Sequence, residues 1–216
     1  LQSFPLSLFG IGFALAAFPL LSSQAGENNL ESFRETFTAT ARKIIFFMIP
    51  FSIIFVLIRA QIVRVILGNG LFGWHDTILT SDTLALFALS LFAQGLIPLL
   101  SRAFFALEDS KTPFFIGVIS ELINVISAWK FMHMFGVAGL ALSFSLGSVS
   151  NLVLLWLALR MRVKTLHEER IITSLIQITG ASLVLAIITQ LTKTWIGLHI
   201  SLTSFVNVAI QGGVAA

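Results

Sequence analysis

Cysteine is absent from the 216 residues, which excludes disulfides and thiolate metal ligands. Charge is scarce as well. Asp, Glu, Lys and Arg make up 11% of the chain, against about 25% in an ordinary soluble domain. Signatures of soluble chemistry are missing: there is no G-x-S-x-G, no glycine-rich phosphate loop and no H-E-x-x-H. The histidines His75, His133, His167 and His199 are scattered without metal-ligand spacing. These absences argue against an enzyme.

Apolar residues dominate what is present. They make up 56% of the chain, and the mean hydropathy is +0.96. A soluble core of this size could not hide that much apolar surface, whereas lipid removes the need to bury it in protein. The net charge is +3. The basic residues sit in short loops between apolar runs, which is a topology signal and not a nucleic-acid stripe. The expected fold is all-α, a polytopic transmembrane helix bundle of about seven spans.

A spanning helix needs about 20 mostly apolar residues. Six runs fit: Phe4–Ser22, Ile44–Leu67, Thr83–Ser101, Pro113–Trp129, Val137–Leu159 and Ile171–Leu191. A seventh starts near Trp195 or Leu202 and is still apolar at Ala216. Five spans fall within 1–162, and two further spans within 163–216. Between the first two runs, Leu30, Phe33, Phe37 and Ala41 recur at helical spacing among Glu27, Glu31, Arg34 and Glu35. That pattern predicts an amphipathic surface helix over about 27–43.

Lys and Arg set the orientation. Loops on the side where the first span ends hold Arg34, Arg42, Lys43, Arg102, Lys111, Arg160, Arg162, Lys164 and Arg170. The other side holds Arg59, Arg64, Lys130 and Lys193, so the first side is expected to be cytoplasmic. The first span then runs outside to inside, and the chain begins without a methionine or a charged n-region. At least one upstream span is expected to be missing, and the apolar end at Ala216 to be clipped.

Few residues inside the spans can carry chemistry. Glu121 lies mid-span, where a carboxylate must face protein or water. Asn124 lies three residues on and shares its face. Together they can offer oxygens to a proton or a small cation, or they are paired structural groups. Gln94 lies inside the third run. Arg59 and Arg64 suit anionic head groups or a pyrophosphate, or they snorkel to the interface.

One segment is specific. Ser101-Arg102-Ala103-Phe104-Phe105-Ala106-Leu107-Glu108-Asp109-Ser110-Lys111-Thr112-Pro113 resembles the R-A-F-Y-A-L-x-D-T-K-T-P loop of the MurJ/MviN family. Phe105 replaces the usual tyrosine and Ser110 a threonine. Its motif positions here are Arg102, Asp109, Lys111, Thr112 and Pro113. Phe4–Ile11 with Phe18–Ser22 resembles that family's eighth helix, Ile62–Gly68 the end of its ninth, and Gly136–Leu142 the start of its twelfth.

The resemblance implies the C-terminal lobe of a fourteen-helix flippase of the multidrug/oligosaccharidyl-lipid/polysaccharide exporter superfamily, comprising helices eight to fourteen. It implies lipid II, the undecaprenyl-pyrophosphate peptidoglycan precursor, as cargo, and the bacterial cytoplasmic membrane as location. Membrane lipids and the missing N-terminal half would be the partners, with no nucleic acid. The last two helices would form a groove for the lipid tail. Candidate substrate and cavity residues are Arg59, Arg64, Gln94, Arg102, Glu121 and Asn124. No cofactor is implied beyond sodium or proton coupling. The family's sodium pattern puts polar residues four apart in helix eleven: Asn124 fits the first position, and Ala128 offers no oxygen at the second. Alternatives are an exporter of another polyprenyl-linked oligosaccharide or a drug, a non-transporting membrane-assembly subunit, and a membrane-embedded transferase.

Overall fold

The structure, a computed structural model, describes residues 3–67 and 73–199. These residues form helices joined by short connections: α1 (Ser3–Gly26), α2 (Leu30–Leu57), α3 (Arg59–Leu67), α4 (Trp74–Ala88), α5 (Leu91–Ala106), α6 (Lys111–Phe135), α7 (Val137–Val163) and α8 (Glu168–His199). Among them α1, α2, α6, α7 and α8 are long and apolar enough to cross a membrane. The bent pair α4–α5 is together apolar and long enough for a sixth, broken span, and the expected seventh lies outside the described residues.

The amphipathic surface helix is corrected. Residues 30–57 form one uninterrupted helix, so the polar stretch is the end of the second span itself. Its apolar stripe meets protein, not the bilayer surface. Phe33, Phe37, Ala41 and Ile44 are fully buried, and Phe37 lies 5.9 Å from Trp156 of α7. Asn29 starts the helix by accepting a bond from the Ser32 amide at 3.1 Å.

Three other boundaries move. The second span ends at Leu57, and Arg59–Leu67 is a separate short helix beyond a break at Ile58. The third run is two helices meeting at 43°. The fourth continues through Lys130 to Phe135, where Gly136 turns the chain into α7 at φ +59°, ψ −136°, a conformation open to glycine.

The core forms where α1, α2, α5 and α7 meet, around Leu21, Phe33, Phe37, Met48, Leu99, Phe104 and Leu155. Phe9 stacks on Phe47 at 4.4 Å, joining α1 to α2. By contrast α6 shows large apolar side chains outward, among them Phe114, Val125, Ile126 and Trp129. On a soluble protein such a face would be an aggregation site; in a bilayer, lipid or a neighbouring membrane helix can cover it.

The connections holding the basic residues gather at one end. Arg34 of α2 donates to the Val163 carbonyl at 2.6 and 3.0 Å. Arg162 pairs with Asp109 at 2.8 Å, Arg160 with Glu168 at 3.1 Å, and His167 meets Glu31 at 3.2 Å. The α1–α2, α5–α6 and α7–α8 connections therefore lie on the same side, as the charge pattern requires.

Candidate functional site

A cavity of about 220 Å³ opens among α1, α5, α6 and α7. Its polar lining is Gln94 from α5, Glu121 and Asn124 from α6, and Ser148 and Asn151 from α7. Apolar walls come from Leu6, Ile97, Pro98 and Phe144. Leu6 opens a π-helical turn, Leu6–Ile11, beside the cavity.

Helical spacing places Glu121 and Asn124 on one face, and the Asn124 amide donates to the Glu121 carboxylate at 3.2 Å. Gly147 sets how closely α7 approaches them. A Cβ there would stand 2.9 Å from the Asn124 Cβ and 3.2 Å from the Ser120 carbonyl oxygen. Asn151 Oδ1 is buried and accepts no hydrogen bond among the described residues. Such an orphan acceptor costs about 1–3 kcal/mol unless a ligand or water meets it.

This donor set is one carboxylate among neutral oxygens. No three His, Asp or Glu side chains converge among the described residues. A single negative charge suits a proton or a monovalent cation; a divalent ion here would keep a net positive charge inside the span.

Gln94 is tied to the bend between α4 and α5. Its amide donates to Ser90 Oγ at 2.9 Å, and Ser90 Oγ lies 3.0 Å from Ser145 Oγ of α7. Ser145 donates to the Leu86 carbonyl at 2.7 Å. In lipid a carbonyl freed at a helix break must be satisfied by protein or by a watery cavity, and Ser145 does this here.

Asp109 organises the connection before α6. It accepts from the Thr112 amide at 3.0 Å, the Thr112 hydroxyl at 2.8 Å and Arg162 at 2.8 Å. The two Thr112 bonds, aided by the Arg162 charge and against partial burial, hold its carboxyl below the usual carboxylate range. Pro113 falls in the first turn of α6, where no amide is needed.

Of the residues singled out in the sequence, Gln94, Glu121 and Asn124 meet at the cavity. Arg59, Arg64 and Arg102 do not line it. Arg59 reaches Asp82 at 3.7 Å and the Val56 carbonyl at 2.9 Å. Arg102 lies over the Phe18 ring at 5.6 Å. Lys111 is exposed at the start of α6. Ser148 and Asn151 complete the lining and were not foreseen. Their signal was the run of small polar residues from Ser143 to Asn151 inside an otherwise apolar span.

Fold and site together define a polytopic α-helical membrane protein with a small open polar cavity, Glu121 standing at its exposed rim. The sequence matches the family described as lipid II flippase MurJ over residues 1–209. The chain belongs to that family. It is 27% identical over 221 residues to a probable lipid II flippase MurJ of Vibrio cholerae, covering 100% of this chain and 42% of that protein. It is 29% identical over 162 residues to one of Thermotoga maritima, covering 75% and 33%. To the lipid II flippase MurJ of Burkholderia cenocepacia it is 26% identical over 186 residues, covering 86% and 36%. A solved lipid II flippase MurJ in an inward closed conformation superposes with TM-score 0.76 at 24% identity, over 98% of this chain and 42% of that one. The chain thus spans about two fifths of the length of the Vibrio cholerae relative and of the solved structure.

Proposed function

We propose that this chain is the C-terminal lobe of a lipid II flippase, working with an N-terminal lobe in the bacterial cytoplasmic membrane. The family match over residues 1–209 carries this reading. The polar cavity supports it, because ionisable and amide groups inside a span mark an ion or substrate pathway. Transport of this kind makes and breaks no covalent bond, so no catalytic residue is assigned.

The bent α4–α5 span and the π-turn of α1 are the elements that would move as the two lobes alternate their access. The Glu121 cavity is the site of ion coupling. Its carboxylate has only neutral partners among the described residues, so a bound proton or monovalent cation would stabilise the packing of α6 against α7. Asn124, Ser148 and Asn151 supply the neutral oxygens for a sodium ion.

Complementation tests the function. The full-length protein, expressed in cells depleted of their own lipid II flippase, is expected to restore growth and bring lipid II to the outer leaflet. Failure despite good membrane expression would point to another polyprenyl-linked cargo.

A further inference from the structure

A second cavity, a groove of about 710 Å³, runs between α2 and α8 and shares no residue with the polar cavity. On α2 it extends from Ala39 to Pro50, and on α8 from Ser174 to Leu185. On each helix that is about 17 Å along the axis. A hydrocarbon core is about 30 Å thick, so the groove is one leaflet deep.

Its two ends differ in chemistry. Arg42 and Lys43 stand at the basic end, while Phe46, Pro50 and Leu185 line the deeper part. Neither cation has a carboxylate within ion-pair distance among the described residues. Arg42 is nonetheless fixed in place. Its Nε donates to Ser174 Oγ at 2.6 Å, and that buried hydroxyl donates to the Arg170 carbonyl at 2.9 Å. This bracing leaves both Nη nitrogens without a partner among the described residues, and a guanidinium fork held this way matches phosphate oxygens.

We propose that this groove binds one anionic glycerophospholipid of the leaflet on the basic side. The phosphate sits against Arg42 and Lys43, and an acyl chain lies along Phe46, Pro50 and Leu185. Charge complementarity selects the head group. The one-leaflet depth selects an ordinary acyl chain over a long polyprenyl tail. This site goes beyond the flippase reading and stands whether or not that reading holds.

The test uses the full-length protein in phosphatidylcholine vesicles. Phe46→Trp places a fluorophore in the groove, read as the signal gained over the unsubstituted chain. A minor fraction of lipid is supplied as either brominated phosphatidylglycerol or brominated phosphatidylcholine. Phosphatidylglycerol is expected to be enriched at this tryptophan on the order of tenfold, falling with salt. R42Q/K43Q should abolish the preference, R42K, which keeps the charge but loses the fork, should weaken it, and K43R should retain it. Equal quenching by the two lipids would overturn the proposal. So would no quenching by either, with residues 200–216 of this chain cross-linking to Phe46 as the occupant. Displacement of the brominated lipid by lipid II at equal mole fraction would also overturn it, assigning the groove to the cargo.

Discussion

Glu121 and Asn124 show how a membrane site depends on what its neighbours leave out. The amide reaches the carboxylate because both lie on one helical face, but the depth of α7 against them is set by the missing side chain at Gly147. Gly147→Ala is expected to push Asn124 aside and to destabilise the protein by about 1–3 kcal/mol. A lowered thermal midpoint together with reduced transport would bear this out; an unchanged protein would show that the contact is looser. Asp109 carries a different consequence. Its carboxyl is held below its unfolded value of about 3.9, so its contribution is present above that pH and lost as pH falls through the lower folded value. Asp109→Ala should cost about 1 kcal/mol at neutral pH and flatten this part of the acid dependence of the midpoint. Midpoints measured from pH 7 down to acid unfolding check both.

At the scale of elements, hydropathy was enough to find the spans among the described residues, because lipid imposes one rule on every face it touches. It was not enough to place the polar start of α2. A stripe such as Phe33, Phe37 and Ala41 has the same period whether it meets lipid head groups or a neighbouring helix, and only the fold supplies Trp156 and Leu166 as partners. Spin labels at Glu31 and Phe46 are therefore expected about 22 Å apart with a narrow distribution, as on one straight helix. A broad or much changed distance would restore the surface helix. The bend at Leu89–Ser90 was equally hidden, since no proline or glycine marks it and the freed carbonyl is answered from α7. Ser145→Ala should cost about 1–3 kcal/mol by leaving the Leu86 carbonyl unmet, measurable as a loss of thermal stability in detergent. The site was partly legible. A glutamate amid apolar residues announces itself, whereas Ser148 and Asn151 resemble the small polar residues that pack most membrane helices. The arginines at span ends attracted notice for their charge, yet Arg59 and Arg102 find partners outside the cavity.

For the whole molecule, the described residues show an apolar exposed face on α6, a fastened basic end and a polar cavity among α1, α5, α6 and α7. Ion pairs and backbone bonds tie the three basic-end connections together, so this end should move as a unit while the bent α4–α5 span and the π-turn of α1 flex. The most direct measurement is lipid II translocation by the purified full-length protein in vesicles, with and without an ion gradient. The account predicts translocation by the unsubstituted protein, accelerated by the gradient, and a loss of about tenfold or more in Glu121→Ala. Vesicles in which a well-folded full-length protein moves no lipid II would contradict it.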